Sequence, residues 1–390
     1  MEELIREEVS VGARMKFLAL GSAACRTLDY FFSQNSSLID LCLAVDTDLR
    51  CLESLNAGLP KYCFAQKEFR GLSTGGDENL VKKLLEKQDE ALQNFLKNSD
   101  IIVILVGLSG GTGSGMILPL VQTAVQNGTF ALVLPILPFS FEGTTKGIRA
   151  QTHLKALQST ADLVIPFYND ILFQTLPDSA TIREAFQEGD RLICQLLCGF
   201  FNGLNTTQSG GFICNLTDFM QHFSGKPDSV FWGLGNCKGN NITQALKNTF
   251  DCPSLKTQID HTLIQRAFVF IQSCSPVTLN DLKTLNNEIL SFLGVPDLQI
   301  LNSYCTSNEE TDKIRLLLVF SACRKNLKSV HVRRKANHKN TDSQTQTQFD
   351  FEVLGLPAAF AFLSPFGVFP DFSSFLTGAF SADGSAFLTS

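Results

Sequence analysis

Five glycines fall within nine residues in the segment Gly107-Leu108-Ser109-Gly110-Gly111-Thr112-Gly113-Ser114-Gly115. Glycine clustering permits positive φ and close backbone approach, so successive N–H groups can converge on one space. The segment follows six consecutive apolar residues, Ile101–Val106, and precedes a helical pattern expected to start near Met116. A helix N-terminus at that point adds its own positive end, and Thr112 and Ser114 add hydroxyl donors. Together these predict an anion cradle suited to a di- or triphosphate. No Gly-Lys-Ser/Thr ending follows, so the loop is not of the lysine-bearing P-loop kind. The turn after the first apolar run, Gly21-Ser22-Ala23-Ala24-Cys25-Arg26, lacks the glycine pattern of a dinucleotide fingerprint, which argues against a nicotinamide-dependent oxidoreductase.

Strands that alternate with helices must position this loop. Apolar runs at Met15–Leu20, Leu38–Val45, Ile101–Val106, Phe130–Ile136 and Leu163–Phe167 predict strands, and Glu78–Asn98 and Met116–Asn127 read as helices between them. Continuous rather than alternating apolar strands imply a parallel sheet covered on both faces. A helical pattern from Thr181 to about Leu204 could join two halves. Beyond it, Ala267–Ile271, Leu279–Leu293 and Ile314–Ser321 read as strand, helix and strand of a second, smaller α/β layer. The expected architecture is therefore α/β. It has a parallel-sheet domain (14–180), a long central helix (181–204), a smaller C-terminal α/β domain (205–324), a basic and polar linker (325–348) and a Phe-rich tail (349–390).

Several segments now carry a family resemblance. Ser109-Gly110-Gly111-Thr112-Gly113-Ser114-Gly115 resembles the Gly-Gly-Gly-Thr-Gly-Ser/Thr-Gly signature of the tubulin and FtsZ superfamily. Pro138-Phe139-Ser140-Phe141-Glu142-Gly143 is similar to the Pro-Phe-x-Phe-Glu-Gly of FtsZ, and Val45-Asp46-Thr47-Asp48 to the family's Val-Asn-Thr-Asp loop. Gly71-Leu72-Ser73-Thr74-Gly75-Gly76-Asp77 resembles the loop that senses the γ-phosphate. Asn169-Asp170 and Ala185-Phe186-Gln187-Glu188-Gly189-Asp190 match an Asn-Asp pair and the start of the central helix. The order and spacing agree over about residues 14–324.

The resemblance implies a GTP- or GDP-binding, self-assembling protein. The phosphates are expected on Ser109, Gly110, Gly111, Thr112, Gly113 and Ser114, with Gly21, Ser22, Asp46, Thr47, Gly75 and Gly76 around them. Arg26 is expected to add a positive contact to the α- and β-phosphates. Glu142, with Lys146 where FtsZ has an Arg, and Asn169 are expected near the ribose and base. Phe186 would pack on guanine, and the Asp190 carboxylate could accept from guanine N1–H and the exocyclic amine, a donor pair that adenine lacks. Asp48 and Asp77 beside phosphates suggest an intervening Mg²⁺. The chain departs from FtsZ at Ser22, Ala23, Ala24 and Cys25, which replace mostly glycines, and at Glu78, which replaces a Pro.

In the proteins that this chain resembles, the nucleotide lies between subunits and a loop of the neighbour polarises the attacking water. The matching segment is Phe212-Ile213-Cys214-Asn215-Leu216-Thr217-Asp218-Phe219, with Asp218 at the acidic position and Asn215 where FtsZ usually has a second Asp. Two readings of Asp218 stand at this point: an acid acting in the neighbour's site, or the N-cap of the following helix. A non-hydrolysing GTP-binding scaffold or assembly regulator is the alternative function.

Composition bounds the rest. The 390 residues are 44% hydrophobic and 18% charged with a net charge of −6, so no global basic field exists to hold nucleic acid. Met1–Arg14 carries acids and no apolar core, unlike a signal peptide, and twelve scattered cysteines suggest a reducing cytoplasm where they act as small core residues. No metal-ligand cysteine or histidine spacing occurs. Arg324–Asn340 is basic without acids, and Phe349–Ser390 is rich in Phe, Pro, Gly and Ser. That tail is expected to anchor a protein or membrane-surface partner, to pack on its own body, or to be disordered.

Overall fold

The structure is a computed structural model and describes residues 14–86, 89–205, 214–239, 241–256, 263–306 and 313–322. The expectations for the linker and the Phe-rich tail lie outside these residues. The first sheet has seven strands: β1 (Met15–Leu20), β2 (Cys42–Asp46), β3 (Lys61–Cys63), β4 (Ile101–Gly107), β5 (Phe130–Leu137), β6 (Leu163–Val164) and β7 (Phe167–Tyr168). Their order is β3-β2-β1-β4-β5-β6, β7 also pairs with β5, and every pairing is parallel.

Parallel register does the gathering. Leu20 of β1 lies beside Val45 of β2 and Val106 of β4, Gly107 of β4 beside Ile136 of β5, and Leu137 of β5 beside Tyr168 of β7. The strands thus end together, and the loops after β1, β2, β4, β5 and β7 leave from one edge. The order changes direction between β1 and β4, the kind of crevice in which open α/β sheets take ligands.

Alternate strand residues feed two cores. Phe17, Ala19, Val103, Leu105, Leu132 and Leu134 face one side, with Leu196, Leu197 and Phe200 of a 24-residue helix, Ile182–Asn205. Leu18, Leu20, Ile102, Ile104, Val106 and Val133 face the other, with Met116, Ile117, Leu120 and Leu154. The second sheet, β8 (Ser229–Lys238), β9 (Ile264–Ser273), β10 (Gln299–Thr306) and β11 (Lys313–Ala322), runs in the order β10-β9-β11-β8. Only β10 and β9 pair in parallel; β11 is antiparallel to β9 and β8. Phe268, Phe270, Leu317 and Val319 of this sheet join the long helix's core, so the helix lies between the two sheets. The sheet's other face is covered by helices Ile242–Phe250 and Leu279–Leu293.

Several boundaries differ from the sequence expectation. The Glu78–Asn98 segment is two helices, Glu78–Leu85 and Glu90–Leu96, because Asp89 accepts from the Leu92 N–H and starts a new one. Leu163–Phe167 divides into β6 and β7 around Ile165-Pro166, since proline has no N–H for the ladder. Residues Leu38–Leu41, read as the start of a strand, belong instead to the 3-10 turn Ser36–Leu41, which delays β2 to Cys42.

Candidate functional site

The helix expected from Met116 begins at Gly111 and runs to Gln126, so Gly111, Gly113 and Gly115 lie inside it. None of the glycines from Gly107 to Gly115 has a positive φ. At Gly111, Gly113 and Gly115 the reason is close packing instead. A Cβ on Gly113 would meet the Gly107 carbonyl oxygen at 2.7 Å and that of Leu20 at 3.0 Å. One on Gly111 would meet the Gly76 backbone carbonyl carbon at 2.9 Å, and one on Gly115 the Glu78 carbonyl oxygen at 2.6 Å. The helix start is thereby drawn down onto the ends of β1 and β4 and against the third loop. Positive φ appears at the surrounding turns, at Gly21 (84°), Gly75 (63°) and Gly76 (88°).

This helix end is prepared for an anion. Its first turn leaves N–H groups without intrahelical partners, and no side chain caps it at Gly110. Gly110 is exposed, and a Cβ there would meet nothing within 4 Å. Thr112 is buried and its hydroxyl lies 3.1 Å from that of Thr47. The Ser114 hydroxyl is buried and has no hydrogen-bond partner among the described residues. A buried hydroxyl without a partner costs free energy that an oxygen-rich ligand would recover. The side of the cradle carries a carboxylate as well: buried Asp46 accepts from the Ser22 hydroxyl at 2.6 Å and the Thr47 N–H at 2.7 Å.

The third loop is held from the helix Thr144–Thr160 by residues the sequence reading passed over. Arg149 Nη1 donates to the Gly76 carbonyl at 3.3 Å, and His153 Nε2 lies 2.9 Å from Glu78 Oε2. Both stand on the face one and two turns beyond Lys146, a helical spacing that could have flagged them. Glu142 is fully engaged: Oε1 accepts from the Phe139 N–H at 2.9 Å and Oε2 pairs with Lys146 Nζ at 3.1 Å. Asn169 is buried at the start of a 3-10 turn, and neighbouring Asp170 accepts from the Ser140 N–H at 2.9 Å, tying the β5 and β7 loops together.

The metal expectation is altered by local structure. Asp48 Oδ1 accepts from the Arg50 N–H at 3.0 Å and Asp77 Oδ1 from the Leu80 N–H at 3.0 Å, so each caps a short helix. Among the described residues no three His, Cys, Asp or Glu side chains gather to hold an ion.

Arg26 also departs from expectation. Its guanidinium is committed to the long helix, with Nε donating to Asp190 Oδ2 at 2.7 Å and its carbon 4.7 Å above the Phe186 ring. Thr27, which no motif singles out, donates its hydroxyl to Asp190 Oδ1 at 2.6 Å. The Asp190 side chain is 6% exposed and that of Arg26 45%.

At the other end of the molecule the helix Leu216–His222 is capped by Asn215, whose Oδ1 accepts from the Thr217 N–H at 2.9 Å. The capping reading of Asp218 is thereby overturned. Asp218 sits in the first turn, exposed, with no hydrogen bond or ion pair among the described residues. The long helix of 24 residues spans roughly 36 Å. Phe186 and Asp190 lie near its start, and the Asn215–Asp218 turn follows its end.

Comparison with known proteins points to one family. Residues 2–177 match the sequence model of the Tubulin/FtsZ family, GTPase domain. That stretch of the chain is similar to the GTPase domain of the tubulin/FtsZ superfamily. Its fold matches the empty FtsZ dimer of M. jannaschii at a TM-score of 0.69 and 22% identity, over 80% of this chain and 88% of that one. CetZ1 of Haloferax volcanii, a GDP-bound monomer, matches at 0.66 and 16%, over 80% and 95%. CetZ2 of Haloferax volcanii, a GTPγS-bound protofilament, matches at 0.64 and 17%, over 80% and 94%. The match to this GTPase domain implies guanine-nucleotide binding. Among the described residues no helix is long and apolar enough to cross a membrane.

Proposed function

We propose that the protein binds GTP and assembles head to tail, with hydrolysis completed by Asp218 of the next subunit. The observation that carries this reading is the pairing of an uncommitted, exposed Asp218 with its remoteness from Asp190 along the long helix. An acid that far from its own site can serve only a neighbour's. In this reading the chain divides functionally into a nucleotide domain (14–180), the central helix, a C-terminal domain (205–324), a linker and a tail.

The residues take the following parts. The Gly110–Ser114 turn holds the β- and γ-phosphates through N–H groups and hydroxyls, with Ser109, Gly21, Ser22, Asp46 and Thr47 lining the approach and Gly75 and Gly76 closing over it. Asn169, Glu142 and Lys146 bound the ribose side, and Phe186 and Asp190 take the base. Asp218 of the neighbour accepts a hydrogen bond from the attacking water and orients it, while Asn215 fixes the turn that presents Asp218. Mg²⁺, if it accompanies the nucleotide, would take most of its ligands from phosphate and water. Exposed Phe141 (62%) and Phe173 (58%), in ring contact with each other and with Phe139, offer the neighbour an apolar rim. Two structural relatives, a dimer of FtsZ and a protofilament of CetZ2, support self-association as the default. A cytoplasmic filament with a Phe-rich tail that anchors a partner completes the proposal.

Mixing tests it. Asp218→Ala should bind GTP as the wild type does and lose most phosphate release, and adding it to wild type should poison turnover. Undiminished turnover in the variant would remove Asp218 from the reaction. Binding with no turnover in the wild type would select the non-hydrolysing scaffold.

A further inference from the structure

Asp190 offers two oxygens in a nearly closed place and must have a partner there, because a buried carboxylate without one is costly. Arg26 fills that need. Nε donates to Oδ2 at 2.7 Å and Nη2 to Oδ1 at 3.4 Å, and the guanidinium plane lies over Phe186. These are the two contacts expected of a guanine base: a stack on Phe186 and a two-donor edge on Asp190. Chemically the edges are alike, since guanine's N1–H and exocyclic amine belong to the same N–C–N unit that a guanidinium presents.

We propose that Arg26 is an internal competitor of the base, a plug that occupies the guanine position until a base with a two-donor edge displaces it. This rests on the reading of the site as a guanine-nucleotide site. Binding is then an exchange of one donor pair for another on Asp190, with Thr27 holding Oδ1 throughout. The exchange is feasible because the Arg26 side chain is half exposed and long enough to swing into water, whereas Asp190 is fixed in the helix. A base without the donor pair cannot take Arg26's place without leaving the buried Asp190 carboxylate with only the Thr27 hydroxyl. Arg26 therefore lowers affinity for guanine nucleotides while leaving adenine nucleotides without a foothold.

The test is a titration of GTP and ATP into the full chain and into Arg26→Met, which keeps side-chain length and removes every donor. Arg26→Lys keeps the charge without the planar edge, and thermal unfolding checks each fold. Arg26→Met should bind GTP about tenfold tighter, the factor one charge-assisted hydrogen bond corresponds to, with ATP unmoved. Arg26→Lys should gain less, and it reads the same competition if Arg26→Met does not fold. Equal or weaker GTP binding in both variants overturns the plug and leaves the nucleotide site standing. An equal gain for ATP also overturns it, since adenine has no donor pair to compete for Asp190. No GTP binding by any of the three chains, all folded, would sink the nucleotide-site reading itself and the plug with it.

Discussion

Ser114 carries a buried hydroxyl with no partner in a helix turn that nothing caps. Removing a buried polar group that has no partner does not cost folding stability, whereas removing a donor to a ligand weakens binding. Ser114→Ala should therefore leave the unfolding midpoint unchanged or raise it, and weaken GTP about three- to tenfold, read by calorimetric titration. A large drop in stability would mean that the hydroxyl has a structural partner instead. Side chains of this kind were legible in the sequence because the glycine signature fixes its own neighbours. The Arg26–Asp190 pair was not, because its members lie 164 residues apart and only the packing of two helices joins them. Asp218 and Asn215 illustrate the same limit over a short span: both can cap a helix, and three residues' difference in where the helix starts decides which does.

Helices and strands carry their own consequences. The glycines of the phosphate turn differ in what surrounds them, so they should differ in tolerance. Gly113→Ala drives a methyl into two backbone carbonyls and should cost about 1–3 kcal/mol in denaturant unfolding. Gly110→Ala, with nothing within 4 Å, should cost far less. Equal effects would contradict the packing account of the motif. In the short helix that presents Asp218, the His222 ring donates Nε2–H to the Ala267 carbonyl. Burial, with the Arg266 charge adding to it, lowers the His222 pKa from 6.5 to about 4. The unfolded chain then holds one more proton than the native one between those values, so stability falls as pH drops from about 6.5 toward about 4 and levels off below. His222→Gln should flatten that part of a plot of unfolding midpoint against pH.

Element types followed the sequence where strands were continuously apolar, as in β1, β4 and β5, and where a helix had a clear period, as in Leu279–Leu293. β8 and β10 escaped notice for physical reasons. β8 contains Gly233 and Gly235, where the helix Ile242–Phe250 and its following turn pack on the strand's backbone, and glycine reads as a strand breaker. β10 starts with polar and half-buried residues at the sheet edge, so its hydrophobic signal is weak. β3 has three residues and no fully buried one.

Across the whole molecule the long helix sets the scale. It separates Asp190 from the Asn215–Asp218 turn by more than a side chain can reach, while the Leu196, Leu197 and Phe200 packing fixes the two sheets around it. One subunit therefore holds half of the proposed hydrolytic site at each end, and only a second copy completes it. Such a protein should be inactive when dilute. The most direct measurement is phosphate release from GTP per subunit as a function of protein concentration, with light scattering recorded alongside. A specific rate that rises steeply above a threshold concentration, together with scattering, is the predicted result. A specific rate that stays constant from the most dilute to the most concentrated sample would contradict catalysis between subunits.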